Sequence, residues 1–130
     1  MWWRNEKEGS MLNTVCFFEI PGDDPEKLQG FYREMFDWSF KKVSEDFRYY
    51  SIQTESDTPK GGLTARQDEK HTPVFYVKVK SIEDAVGKAE GLGGHAQVPK
   101  RPVPGVGWYA VLLDPQGNRI GLWEDDANAG

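Results

Sequence analysis

The chain has one cysteine, Cys16, and two histidines, His71 and His95, in 130 residues. A single cysteine excludes an internal disulfide framework and any cysteine-rich zinc knuckle. No apolar run approaches the roughly 18 residues of a membrane span. The opening Met1-Trp2-Trp3-Arg4-Asn5-Glu6-Lys7-Glu8 lacks the apolar stretch of a secretory signal. A soluble, cytoplasmic protein with no membrane partner is therefore expected, a secreted protein without disulfides being the other reading. The chain also lacks a basic stripe. Its net charge is −5 with both signs interspersed, and the short Lys100-Arg101 pair does not change that, so nucleic acid is not expected as a partner. What is present suffices for a core: 38% hydrophobic residues and 13% aromatic ones fit a single domain of ordinary size.

Residues 1–10 read as a leading polar arm carrying Trp2 and Trp3. Thr14 to Ile20 is a strand by its β-branched and aromatic content, and Pro21-Gly22-Asp23 is expected to break it. Asp24 then serves as N-cap and Pro25 as first helical residue. Leu28, Phe31, Tyr32, Met35 and Phe36 form one apolar stripe at helical spacing. Three short strands follow, over 38–43, 47–54 and 61–66. The order then recurs. Val74 to Val79 is a strand, and Ser81 caps a helix with Asp84 at capping-box spacing. Ile82, Ala85, Val86, Ala89 and Leu92 line that helix, and Gly93-Gly94 ends it. Strands over 95–98, 108–113 and 119–124 complete the second half, with Asp114 to Asn118 a turn between the last two.

Each half is thus β-α-β-β-β, and the fold class is α+β. A shift of 57 positions pairs Phe18 with Phe75, Ile20 with Val77, Leu28 with Ala85, Tyr32 with Ala89 and Met35 with Leu92. A shift of 59 pairs Leu63 with Leu122 and Tyr49 with Trp108. The modules run from about 13 to 67 and from about 73 to 125 in one domain. Halves of this kind are expected to bury their apolar faces jointly.

The run Phe18-Glu19-Ile20-Pro21-Gly22-Asp23-Asp24-Pro25, followed by Phe31-Tyr32, resembles the first strand and helix of the vicinal oxygen chelate superfamily. Ala89 to Gly94, Pro102 to Trp108 and Asp114 to Glu124 extend the likeness, which covers about residues 13 to 125. That superfamily includes glyoxalase I, extradiol dioxygenases, and bleomycin- and fosfomycin-resistance proteins. The resemblance implies two βαβββ modules whose curved eight-stranded sheet surrounds a central cleft, with the helices outside. It also implies a homodimer and one divalent metal, held by His and Glu side chains from the first and last strands of each module.

Strand alternation tests that metal site. Cys16, Phe18 and Ile20 should lie under the helices, which turns Phe17 and Glu19 to the cleft, as it does Val74 and Tyr76. Arg119, Gly121 and Trp123 face it from the last strand, and Gly62 and Thr64 correspond in the first half. The positions matching the family's ligands are then Phe17 or Glu19, Gly62, Val74 and Gly121. Glu19 alone among them carries a donor atom suited to a divalent ion. His71 falls on the connection between modules, His95 after the second helix, and Glu124 has the wrong parity and reads as a surface charge. No cofactor is therefore expected.

The same positions describe a pocket walled by Phe17, Tyr76 and Trp123, with Thr64 and Trp108 at its mouth and space over Gly62 and Gly121. Glu19 is its acidic anchor and Arg119 its basic one. These features point to a planar or cationic small-molecule ligand. The segment Pro99 to Gly107 reads as a long connection, either a lid or a rigid crossing. The leading expectation is a metal-independent small-molecule-binding protein. The alternative is a metal-dependent glyoxalase- or dioxygenase-type enzyme with an altered ligand set that includes Glu19. A filled cleft in a structural module is the third reading.

Overall fold

A computed structural model describes residues 11–57 and 59–130; the leading arm with Trp2 and Trp3 lies outside them. The elements in chain order are β1 (Val15–Gly22), α1 (Pro25–Phe36), β2 (Ser39–Lys42), β3 (Tyr49–Gln53), β4 (Lys60–Ala65), β5 (Val74–Lys78), α2 (Ile82–Gly91), β6 (His95–Val103), β7 (Gly107–Leu113) and β8 (Arg119–Asp125). The eight strands form a mixed sheet in the order β2-β3-β4-β1-β5-β8-β7-β6. The described residues divide into two compact units, 16–74 and 75–130, residues 11–15 belonging with the second.

In the unit of residues 16–74, β4 runs parallel to β1 and antiparallel to β3, with Glu19 opposite Gly62 and Ser51 opposite the same glycine. The side chain of Asp24 accepts the Lys27 N–H at 3.1 Å and Pro25 follows at the first turn, so α1 starts where the sequence places it. Its C-terminus closes on Asp37 in the left-handed region, at φ 58°, with the Asp37 N–H donating to the Arg33 carbonyl. The packed face of this sheet is set by Phe18, whose ring lies over Gly61 and near Trp38 (centroids 6.2 Å apart). Trp38 in turn stacks on Tyr32 of α1 at 5.4 Å. Leu63 and Ile52 are buried. The apolar stripe of α1 forms as expected, yet it is not all covered: Phe31 and Met35 each remain 57% exposed.

A surface network ties α1 to β3. Glu26 accepts hydrogen bonds from Arg48 and from the Tyr50 hydroxyl, the latter at 2.6 Å. The Arg48 guanidinium, and after it the Tyr50 hydroxyl, holds the Glu26 carboxyl down from its ordinary 4.5 to about 2. A depressed carboxylate contributes stability above its unfolded value and loses it as pH falls through the folded one. The Glu26→Gln protein should therefore melt below wild type at neutral pH, and the gap should close between about pH 4.5 and about pH 2. Melting curves across that range check it; a gap independent of pH contradicts it.

In the other unit, β8 lies parallel to β5 and antiparallel to β7, and β7 to β6. Ser81 caps α2 by accepting the Asp84 N–H at 3.2 Å. Ile82, Ala110, Leu112 and Leu122 form the buried cluster beneath α2, with Ala85, Val86, Ala89 and Trp108 against it. Leu92 is the C-cap and is exposed, so the stripe ends at Ala89.

Two expectations fail here for backbone reasons. Pro21-Gly22 does not break the first strand; β1 continues through both, opposite Thr64 and Ala65 of β4. Pro99 to Val103 is neither a lid nor a free crossing. It is the second half of β6, with Arg101, Pro102 and Val103 opposite Tyr109, Trp108 and Gly107. Proline is tolerated there because β6 is the last strand in the order, where a missing N–H can face solvent. Irregular register between Ala96 and Arg101 takes up the misfit.

Candidate functional site

Each half-sheet has a face turned away from its helix, and the sequence-predicted site residues fall largely on those faces. In the unit of residues 16–74 the face is fixed by Gly62. A β-carbon there would stand 2.0 Å from the Tyr49 hydroxyl oxygen, and that hydroxyl donates to Glu19 Oε2 at 3.0 Å. Glu19, Gly62 and Tyr49 therefore share one face, opposite to Phe18 and Gly61. Alternation adds Phe17 and Thr64, Phe17 being buried. Ser51, also buried, donates to the Lys41 carbonyl and accepts from Gln53.

His71 reaches the same carboxylate from the connection after β4. The segment folds back on itself: the His71 N–H donates to the Asp68 carbonyl at 3.0 Å, the Lys70 N–H to Asp68 Oδ1, and Arg66 to the His71 carbonyl. The Gln67 N–H donates to His71 Nδ1 at 3.0 Å. A ring nitrogen that accepts a hydrogen bond carries no proton, so the His71 proton sits on Nε2. That nitrogen faces Glu19 Oε1 across 3.7 Å, which is beyond direct hydrogen-bonding distance. The two side chains are 13% and 17% exposed.

In the unit of residues 75–130, Tyr76 stands opposite Gly121, where a β-carbon would lie 2.4 Å from the tyrosine ring. Trp123 is 2% exposed. Its ring covers Gly107, and its Nε1–H donates to Asp125 Oδ1 at 2.8 Å. Asp125 Oδ2 pairs with Lys78 Nζ at 2.9 Å, and the lysine side chain is 7% exposed. Arg119 donates from Nε to Gln97 at 2.8 Å. Val74, the first residue of β5 and the last of the unit of residues 16–74, is buried.

Three expectations are corrected within these units. The space foreseen over Gly62 and Gly121 is filled, by the Tyr49 phenol and the Tyr76 ring. Glycine stands at both places because an aromatic side chain passes where a β-carbon would be. Trp108 does not share a face with Trp123. It packs on the α2 side with Leu112 and Leu122, donates from Nε1 to Asp126 Oδ2 at 3.0 Å, and lies under Lys100 at 4.5 Å. That hydrogen bond holds the Asp126 carboxyl below its usual range. The cause of the error is a one-residue slip in the repeat: Tyr49 lies opposite Thr64 and Tyr109 opposite Trp123, so the counterpart of Tyr49 is Tyr109, and a slip of one reverses the face. Glu124 is no idle surface charge either, since it accepts the Ile82 N–H at 2.8 Å at the start of α2.

Four residues of these faces escaped the sequence reading. Lys78 and Asp125 carry the parity of Tyr76 and Trp123 two positions onward, a signal that was available. His71 falls on the connection between modules as expected, but sequence does not bring it or Tyr49 to this face, because nothing in sequence says which way a short strand faces or where a connection returns. Among the described residues, no three His, Cys, Asp or Glu side chains gather into a group that could hold a metal ion. Of the positions matching the family's ligands, Gly62 and Gly121 are covered by aromatic rings and Val74 has no donor. His71 could ligate through Nε2 only by moving its proton to Nδ1, where the Gln67 N–H already points.

The Gly62 contact is open to test. The Gly62→Ala protein should lose about 1–3 kcal/mol of stability as the Tyr49 ring is driven off Glu19, read by urea denaturation. A neutral outcome would mean that Tyr49 does not cover this glycine.

The order β-α-β-β-β, present twice in an eight-stranded mixed sheet, is the arrangement that the vicinal oxygen chelate resemblance implies. Residues 17–123 match the model of the glyoxalase-like domain; the chain belongs to that family. Solved structures agree in fold. A glyoxalase/bleomycin resistance protein/dioxygenase superfamily member from Vibrio splendidus 12B01 superposes with a TM-score of 0.61 at 13% identity, over 84% of this chain and 97% of that one. Methylmalonyl-CoA epimerase from Mycobacterium tuberculosis gives 0.61 at 14% identity, over 90% and 91%. The Mn(II)-bound glyoxalase from Novosphingobium aromaticivorans gives 0.59 at 17% identity, over 92% of this chain and 40% of that one. No curated protein matches the chain in sequence. Among the described residues, no helix is long and apolar enough to cross a membrane.

Proposed function

We propose that this chain is a small-molecule-binding member of the glyoxalase-like family that works without a resident divalent metal. The observation that carries the reading is the state of the inherited ligand positions: one carboxylate, Glu19, remains, while aromatic side chains occupy the place of the side chains at Gly62 and Gly121. A single carboxylate does not hold a catalytic divalent ion against water. What replaces the ligands is a polar cluster, Glu19, Tyr49 and His71, beside buried Phe17, and a second face lined by Tyr76, Trp123, Lys78 and Asp125. Aromatic surface with a few directed polar groups is the usual composition of a site that binds an organic molecule.

Two measurements test this. Elemental analysis of protein purified without chelator should find no stoichiometric divalent metal, and chelator should leave the melting temperature unchanged. A thermal-shift panel of planar and charged organic compounds should contain binders, a ligand at 100 times its Kd adding about 2.7 kcal/mol. A stoichiometric metal bound to this chain's own side chains would instead establish the metal-dependent enzyme, with Glu19 among its ligands. A panel without a single binder would sink the binding reading.

A further inference from the structure

We propose that the Glu19 cluster recognises an organic cation carrying an ammonium, amidinium or guanidinium group. The inference rests on the small-molecule-binding reading and names the chemistry of that site. Glu19 is largely withdrawn from water, and a carboxylate in that position needs compensation for its lost hydration. The groups that meet it in the unit of residues 16–74 supply dipoles and no positive charge. Tyr49 donates a neutral hydroxyl to Oε2. His71 presents a neutral N–H, because its other nitrogen is committed to the Gln67 backbone, and Oε1 is left 3.7 Å from it. One carboxylate oxygen thus retains acceptor capacity on the helix-free face.

Among the described residues of this unit, no lysine or arginine forms an ion pair with Glu19. Arg48 pairs with Glu26, Arg66 pairs with Asp23 at 2.9 Å, and Arg33 lies over the Phe40 ring. Each is tied to a different partner. A ligand cation reaching Oε1 would gain a charge-assisted hydrogen bond. A neutral ligand gains a weaker one. An anion would be repelled.

Isosteric probes separate these cases on the wild-type protein, with no variant required. Benzamidine, benzamide and benzoate share one planar body and differ in charge. Calorimetric titration should show benzamidine binding at least about tenfold more tightly than benzamide, the worth of one charge-assisted hydrogen bond, and benzoate more weakly still. Its affinity should fall with added salt while that of benzamide holds. In Glu19→Gln, checked for folding by circular dichroism, benzamidine should drop to the benzamide level. Equal affinities for benzamidine and benzamide, a preference for benzoate, or a Glu19→Gln protein that binds benzamidine as well as wild type would each overturn the inference. The first two leave the small-molecule reading standing. Failure of all three probes together with the wider compound panel removes that reading too.

Discussion

Trp123→Ala should lower the stability of the protein by about 3–5 kcal/mol, the cost of deleting a buried tryptophan. The side chain is 2% exposed, lies across Gly107, and hydrogen-bonds through Nε1 to Asp125. The loss has two parts: a cavity that strand pairing between β7 and β8 cannot collapse, and the removal of a donor from Asp125, which also pairs with Lys78. Trp123→Phe keeps most of the volume and removes the N–H, so it should recover more than half of the loss. Urea denaturation at constant slope measures both. A loss under about 1 kcal/mol for the alanine protein, smaller than ordinary core truncations, would show that the ring is not packed as described.

Gly107→Ala should be nearly as damaging, about 3 kcal/mol, at the upper end of ordinary overpacking. A β-carbon there would stand 2.3 Å from the Trp123 ring and 2.4 Å from the Glu124 carbonyl oxygen. The ring can swing aside, but the carbonyl belongs to the paired strand β8, whose register places Gly107 opposite Asp125. Relief would require breaking that end of the ladder. The two substitutions are coupled, since truncating Trp123 removes one of the two collisions. The double variant should therefore be more stable than the summed losses imply, by about 0.5–3 kcal/mol. Strict additivity would show that the ring and the glycine are not in contact.

Both predictions concern contacts that sequence reading anticipated in part. Trp123, Tyr76 and Gly121 were placed on one strand face by alternation, and the structure puts them on the helix-free side of their unit. What alternation could not say was why the glycines were there. Gly62, Gly107 and Gly121 each accept an aromatic ring from a neighbouring strand, and which ring arrives depends on the register between the paired strands. The same gap explains the Trp108 error. A repeat read from apolar character tolerates a slip of one residue, because Tyr49 matches Trp108 in character as readily as it matches Tyr109. Register, fixed by hydrogen bonding to β8, decides between them.

The helices show the complementary case. Asp24-Pro25 and Ser81 mark both N-termini without help from packing, because an N-cap is a contact between residues three positions apart. The stripe of α1 was equally legible, but the exposure of Phe31 and Met35 was not.

By itself, then, the sequence determined the order of elements, the two helix starts and the β-α-β-β-β repeat. All of these follow from composition and from interactions within a few residues. Tertiary structure alone decided that prolines 99 and 102 ride on an edge strand, that Tyr49 and His71 converge on Glu19, and that Trp108 looks toward its helix. Each of those outcomes rests on strand order and register or on the path of a returning connection, where a shift of one residue reverses a face and periodicity carries no information about the partner.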